Sequence, residues 1–118
     1  VEYQVLPAAS TRFLARQMIQ AGADLVVGNH PHWIQPIEIY QDKIIFYAHG
    51  NFIFDQEWSD QTRTGFVAQT TFYQKKIVDV QIFPVFISDY NQPELLEGEE
   101  KQAVLDQLQT TSKQNQPD

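Results

Sequence analysis

Two histidines, His30 and His32, stand two residues apart in a segment whose residue types could bind a metal ion. A neutral imidazole nitrogen is the commonest side-chain metal ligand in proteins. The segment follows the apolar run Leu25–Val27, which predicts a buried strand, and open α/β folds place their ligands at the carboxyl ends of such strands. The His-x-His spacing allows both rings to reach one metal ion or two adjacent ions. The alternative interpretation is that both are loop residues whose hydrogen-bonding needs are met by the backbone.

Length and charge restrict the functions that this chain can have. With 118 residues, of which 42% are apolar, the chain is long enough for one domain with its own core. The formal net charge of −7 argues against binding to nucleic acid, which requires clustered Lys and Arg. The chain has no cysteine, so disulfides, zinc–thiolate sites and thiol catalysis are excluded. No segment approaches the ~20 apolar residues that cross a bilayer, and we expect this piece of chain to be soluble.

A predicted helix and strand precede the histidine segment and position it. Residues Pro7–Ala21 predict an amphipathic helix, with Pro7 in its first turn and Gly22 just past its end. The predicted apolar stripe of this helix consists of Leu14, Ala15, Met18 and Ile19. Asp24–Gly28 then predicts a short strand, so the order of helix, tight turn and strand is that of half a βαβ unit.

Two hairpins and a second helix are predicted after the histidine segment. The paired strands are Ile34–Tyr40 with Lys43–Tyr47 and Gly65–Tyr73 with Ile77–Val85. Pro36 indicates that the first of these strands begins late or lies at an edge. Glu99–Gln109 predicts a helix, and residues 110–118 predict a frayed polar tail. The predicted fold class is α/β of an α+β kind, in which helices flank mixed and antiparallel strands and the layers are incomplete.

Three further segments make the histidine pattern more specific, namely Gln35–Glu38, Ile45–Tyr47 and Gly50–Asp55. Together with Gly22–His32 they resemble the carboxy-terminal part of the bacterial capsule-synthesis CapA family, across roughly residues 2–109. That family is associated with poly-γ-glutamate capsule production and with a calcineurin-like metallophosphoesterase fold. The resemblance implies that residues 1–109 are the last segment of such a domain, a β-sandwich flanked by helices, followed by the polar tail 110–118.

The resemblance also implies a metal site. In calcineurin-like phosphoesterases the last metal-binding motif is a His-x-His, which His30 and His32 match, so divalent metal ions are implied, with Mn, Fe, Zn and Mg as candidates. Glu2-Tyr3 is similar to the segment that follows a His-Trp-Gly motif in CapA-like proteins, which places a further ligand and the bridging carboxylates before residue 1. A pair of metal ions needs carboxylates as well as imidazoles. We therefore expect this chain to carry only part of a metal site.

Four other polar residues are candidates for lining the site: Asn29, Glu38, His49 and Asn51. Asn51 could hydrogen-bond a ligand, although a Gly-Asn pair also favours a turn. Glu38 could orient a histidine through its carboxylate, or could face solvent from its strand. His49 could be a third ligand, or a surface or internally satisfied histidine.

Two classes of function fit this pattern. The first is a metal-dependent phosphoesterase-like hydrolase, and the second is a non-catalytic assembly or scaffolding subunit of a cell-envelope polymer synthesis complex. The chain opens with Val1 rather than Met, which indicates a piece of a longer protein. The expected partners are the upstream part of that protein and membrane-bound capsule synthesis proteins, at the cell envelope or extracellular face of a bacterium. Open sheet edges also predict homo-oligomers of the isolated piece.

Overall fold

The computed structural model describes residues 1–116, in which helices flank two small sheets. Its elements are α1 (Ala9–Gln20), β1 (Leu25–Val27), β2 (Ile37–Tyr40), β3 (Lys43–Phe46), α2 (Asp60–Arg63), β4 (Thr64–Tyr73), β5 (Lys76–Ile87), β6 (Pro93–Leu95) and α3 (Gly98–Asn115). Each sheet has three strands, and one sheet is mixed while the other is antiparallel. The predicted α+β arrangement of mixed and antiparallel strands is confirmed.

The first sheet contains the strand that leads into the histidine segment. Its strand order is β1–β3–β2, in which β1 runs parallel to β3 and β2 runs antiparallel to it. Gln41 and Asp42 form the turn between β2 and β3 with φ angles of 49° and 61°, as a tight hairpin turn of type I′ requires. The first predicted hairpin is confirmed, and Pro36 delays its first strand to Ile37.

Helix α1 packs against this sheet through two buried side chains, Ala15 and Ile19. The buried cluster between them consists of Ala15, Ile19, Ile45 and Tyr47. The prediction that Leu14 and Met18 also face the core is wrong, since their side chains are 55% and 44% exposed. The reason is that β1, against which α1 packs, is the edge strand of a three-stranded sheet within residues 1–116. The other half of the apolar stripe therefore extends past the sheet.

The second sheet is built on the long hairpin of β4 and β5. Gln74 and Lys75 form its turn with φ angles of 48° and 66°. Strand β6 pairs with the other edge of β5, which gives the order β4–β5–β6. The second predicted hairpin is confirmed, and β5 continues to Ile87, two residues past its predicted end.

A second buried cluster joins both sheets to α3. Phe46 of β3, Phe66 of β4 and Leu108 of α3 are each at most 5% exposed and pack together. These three side chains come from elements that are distant in sequence. The hydrophobic contact between them therefore holds the two sheets against the carboxy-terminal helix.

Helix α3 is longer than the sequence predicts. It continues to Asn115, so the predicted helix end at Gln109 and the predicted frayed tail are wrong for residues 110–115. The last turns have partners, because the Ser112 hydroxyl accepts a hydrogen bond from the Ile37 N–H at 3.0 Å. Residues 117–118 of the predicted tail lie outside the described residues.

The chain after β3 passes very close to the start of β4. Gly50 and Gly65 form an antiparallel bridge, and the Phe66 N–H donates to the His49 carbonyl at 2.9 Å. A side-chain carbon on residue 65 would lie 2.1 Å from the Asn51 carbonyl oxygen. Glycine is thus required at position 65, and the close approach fixes where Asn51 lies.

We expect Gly65→Ala to lower the free energy of unfolding by about 3 kcal/mol, because a methyl group would push the two backbones apart. Gly98→Ala is the matched control, since a side-chain carbon there meets no atom within 4 Å. Only its positive φ of 58° opposes the substitution, at a cost of about 1 kcal/mol. Urea unfolding of both variants measures the difference, and equal stabilities would contradict the close approach.

Candidate metal-binding site

The histidine segment leaves the sheet at the carboxyl end of β1. The Gly28 N–H donates to the Phe46 carbonyl at 2.6 Å, which continues the pairing of β1 with β3 by one residue. A side-chain carbon at position 28 would lie 2.1 Å from the Tyr47 carbonyl oxygen, so glycine is needed here as well. The chain then turns away from the sheet through Asn29 and His30. The histidine segment therefore lies at the carboxyl end of a strand, the edge at which open α/β folds place their ligands.

The loop brings His30 and His32 together. Their ring centroids are 6.3 Å apart, and the ring planes are inclined by 57°. A ring nitrogen about 2 Å from an ion places the ring centre roughly 3 Å from that ion. A centroid separation of 6.3 Å fits one ion between the rings only if a nitrogen of each ring faces that ion, and it also fits two neighbouring ions about 3.5–4 Å apart as in two-metal sites. His30 is 66% exposed, so its ring is accessible.

A carboxylate that the sequence did not predict lies beside this pair. Glu2 Oε1 is 3.8 Å from His30 Nε2, and the Glu2 carbonyl accepts a hydrogen bond from the His32 N–H at 2.8 Å. Glu2 and His30 are far apart in sequence, and neither periodicity nor spacing connects them. Within residues 1–116, no three His, Asp or Glu side chains form a metal-binding cluster. The described residues thus offer two imidazoles and one neighbouring carboxylate.

His32 is held more firmly than His30. Its Nδ1 lies 2.9 Å from the side-chain oxygen of Asn51, a candidate site residue that the structure places directly against the ring. Tyr3 stacks on the same ring at 5.6 Å between centroids, and Phe54 lies at 4.9 Å. These three contacts restrict the orientation of the imidazole.

Asn29, another candidate, supports the backbone of the loop. Its side-chain oxygen accepts a hydrogen bond from the His30 N–H at 2.8 Å. His30 has a φ of 93°, a conformation that side-chain-bearing residues rarely adopt and that costs about 1–3 kcal/mol. A small cavity of about 120 Å³ adjoins the loop and is lined in part by Asn29, His30 and Tyr47. Backbone strain of this kind is concentrated at functional sites.

Glu38 has a different role from either of the two predicted ones. Its carboxylate is fully buried, accepting a hydrogen bond from Arg16 Nε at 2.8 Å and one from the Tyr47 hydroxyl at 2.6 Å. It neither orients a histidine nor faces solvent, because β2 directs it toward α1. Burial and the hydrogen bond to Glu38 both raise the pKa of the Tyr47 hydroxyl. The pair of donors satisfies a charge that would otherwise be costly to bury.

His49 is half-buried and packs against two aromatic rings of the core. Its ring lies 4.5 Å from the Phe66 ring and 5.2 Å from the Phe46 ring, measured between centroids. Burial lowers the pKa of His49 and favours its neutral form. These aromatic contacts favour the internally packed histidine among the alternatives that the sequence left open.

Known proteins are similar in sequence to most of this chain. The family model described as "Bacterial capsule synthesis protein PGA_cap" matches residues 1–56. The chain is 49% identical over 75 residues to the PGA biosynthesis protein CapA of Bacillus subtilis, which covers 64% of this chain. It is 34% identical over 107 residues to the capsule biosynthesis protein CapA of Bacillus anthracis, which covers 91% of this chain.

The chain belongs to the CapA family of bacterial capsule-synthesis proteins. A protein of Sinorhizobium fredii, y4sH, is also 51% identical over 49 residues, or 42% of this chain. The matched segments span 19% of the Bacillus subtilis CapA and 26% of the Bacillus anthracis CapA, so this chain corresponds to about a quarter of its relatives or less. Among residues 1–116, no helix has the length and apolar character of a membrane span.

We predict that stability falls as the pH drops below the ordinary histidine pKa of about 6.5. Because burial lowers the pKa of His49 in the folded state, the unfolded chain takes up a proton first and gains stability relative to the fold. Above that ordinary pKa the effect is absent. Urea unfolding at about one pH unit on either side measures it, and His49→Phe should flatten the dependence. An unchanged pH dependence in that variant would show that other groups cause it.

We also predict that His30→Gly raises the free energy of unfolding by about 1 kcal/mol, because glycine adopts a positive φ without steric cost. His30→Ala is the matched control, since it removes the same exposed ring but keeps the unfavourable backbone conformation. Thermal or urea unfolding compares the two. A glycine variant that is less stable than the alanine variant would show that the backbone of residue 30 is not strained.

Proposed function

We propose that this chain carries the histidine part of a divalent-metal site in a metallophosphoesterase-like protein of capsule or poly-γ-glutamate biosynthesis. The observation that carries the proposal is that His30 and His32 lie side by side at the carboxyl end of a parallel strand, with their ring centroids 6.3 Å apart. Family membership supports the biosynthetic role, since relatives are named for capsule and PGA biosynthesis. When bound, the ions would polarise a phosphoryl group and activate water.

The residues on this chain would bind and position rather than complete the reaction. His30 and His32 would each supply one imidazole nitrogen, and Glu2 is close enough to His30 to ligate the same ion or to accept a hydrogen bond from its ring. Mn, Fe, Zn or Mg would suit such a site in combination with further carboxylates. Those carboxylates would come from the upstream part of the same protein, which is the first partner that we propose.

The alternative proposal is a non-catalytic assembly subunit that works beside membrane-bound capsule synthesis proteins at the cell envelope. One observation favours it, namely the exposed apolar side of α1. Phe13, Leu14 and Met18 are 67%, 55% and 44% exposed on this helix. Apolar surface of this kind marks a contact with another protein segment. The contact could be made by the upstream part of the same protein, so this surface does not exclude the metal site.

We expect the full-length protein to lose at least tenfold in bound Mn²⁺ or Zn²⁺ when His30 and His32 are both replaced by Ala, because each ring supplies a ligand. Metal content after dialysis against a fixed free concentration measures the loss. His49→Phe is the matched control, since it removes one histidine outside the site and should leave the metal content unchanged.

Metal-dependent hydrolysis of bis-(p-nitrophenyl) phosphate by the same full-length variants then separates the two proposals. Hydrolysis that disappears in the double variant supports the phosphoesterase-like enzyme. Retained metal with no hydrolysis in the unsubstituted protein supports the assembly subunit. Unchanged metal content in the double variant would remove both histidines from the site.

A further inference from the structure

The orientation of the Asn51 amide is determined by its surroundings. Asn51 is 7% exposed, and its nitrogen donates to the Thr62 carbonyl at 2.8 Å and to the Gln56 side-chain oxygen at 3.2 Å. A backbone carbonyl can only accept a hydrogen bond, so the nitrogen of the amide must face Thr62. The oxygen of the amide therefore faces His32 Nδ1 at 2.9 Å.

This orientation dictates which nitrogen of His32 carries the proton. An amide oxygen can only accept a hydrogen bond, so Nδ1 must be the donor and must be protonated. In a neutral imidazole the other nitrogen then has the free electron pair. We propose that Asn51 is a positioning residue that holds His32 in its Nδ1–H tautomer, so that Nε2 is the atom offered to a metal ion. The inference rests on the proposed function only for the metal ion, because the tautomer of His32 follows from its hydrogen bond to Asn51 alone.

Thr62, which accepts the hydrogen bond from Asn51, is itself buried and hydrogen-bonded. Thr62 is fully buried, and its hydroxyl donates to the Gln56 carbonyl at 2.6 Å. The Thr62 N–H donates to the Ser59 hydroxyl at 3.2 Å, which caps the short helix α2. Gln56 also donates from its side chain to the Tyr3 hydroxyl at 3.1 Å. The amide is thus fixed by a closed set of hydrogen bonds and cannot rotate without breaking them.

The Gly50–Asp55 motif contacts the ring of His32 through two of its side chains. Asn51 binds one edge of the His32 ring, and Phe54 lies 4.9 Å from the ring centre. Asn51 and Phe54 of the Gly50–Asp55 motif therefore position His32 of the histidine segment. His32 lies 19 residues before Asn51 in the sequence. His30 has no corresponding amide contact among the residues described, and its Nε2 faces Glu2 instead. The two histidines are therefore unequal, with His32 preorganised and His30 free to adjust.

The tautomer can be read directly from the ring ¹⁵N chemical shifts of the chain, without any metal. The spectrum is simple, because the sequence has three histidines and His30 and His49 serve as internal references. We expect His32 of the unsubstituted chain to show a protonated Nδ1 and an unprotonated Nε2, at about two pH units above the ordinary pKa of 6.5. A protonated Nε2 on His32 would overturn the inference, whatever the variants do.

Two substitutions at position 51 test the cause. Asn51→Ala should release His32 toward the Nε2–H tautomer. Asn51→Asp loses the donations to the Thr62 carbonyl and the Gln56 side chain but keeps an oxygen that accepts from Nδ1, so it should retain the Nδ1–H tautomer. Asn91→Ala, in the exposed turn before β6, is the control and should leave the His32 shifts unchanged. Retention of the Nδ1–H tautomer in a folded Asn51→Ala variant would overturn the role of Asn51. If that variant does not fold, the Asn51→Asp spectrum decides, because an Nε2–H tautomer there would contradict control by the acceptor.

Zn²⁺ affinity of the full-length protein separates this inference from the proposed function. We expect Asn51→Ala to weaken binding by about 10–100-fold, as other losses of a ligand-orienting partner do, and Asn51→Asp to restore most of it. Tautomer control with no Zn²⁺ binding in the unsubstituted protein would refute the metal site and leave the positioning of His32 intact. Zn²⁺ affinity that is unchanged in Asn51→Ala would refute the importance of positioning and leave the metal site intact.

Discussion

The buried side chain of Asn51 is the constraint on which the candidate site depends. It joins three stretches of chain: the histidine loop through His32, the segment after β3 through its own backbone, and α2 through the Thr62 carbonyl. The position of Asn51 follows in turn from the contact between Gly50 and Gly65, where two backbones meet at a distance that no side chain allows. The close contact of the two backbones thus determines where the Asn51 amide lies. The amide in turn determines the orientation of the His32 ring.

The first sheet supports this arrangement from the other side. Glu38 is buried with Arg16 and Tyr47 as donors, so it ties α1 to the strands beneath the histidine loop. Tyr47 also lines the small cavity beside His30, which connects this charged network to the loop. Removing one member of such a group leaves an uncompensated buried charge, which is far more costly than losing a surface ion pair. Buried hydrogen bonds therefore join the helix and the strands that lie beneath the histidine loop.

Much of the fold could be predicted from the sequence, because local patterns determine it. Alternation and turn residues predicted both hairpins, and the run before Gly28 predicted the strand that delivers the histidines. Contacts between distant residues could not be predicted in this way. Within residues 1–116, β1 has one strand partner, and Leu14 of the helix packed against it is exposed. The Ile37 N–H of β2 donates to Ser112 in the part of α3 whose composition suggested fraying.

The same limit applies to the candidate site. The spacing of His30 and His32 made them candidates, and the structure places their rings side by side. Glu38 and His49 have residue types suited to a site, but their roles depend on neighbours that no local pattern identifies, namely Arg16 for the first and two phenylalanine rings for the second. Glu2 lies beside the histidines only because the first residues of the chain fold against the histidine loop, where the Glu2 carbonyl accepts from the His32 N–H.

Anomalous diffraction from crystals of the full-length protein grown with Zn²⁺ tests the account most directly, with data collected on both sides of the zinc absorption edge. The account predicts an anomalous peak about 2 Å from Nε2 of His32, the usual zinc–nitrogen distance, with the His30 ring turned toward the same ion or its neighbour. A peak on Nδ1 of His32, or full zinc occupancy elsewhere with none at the histidine loop, would contradict it.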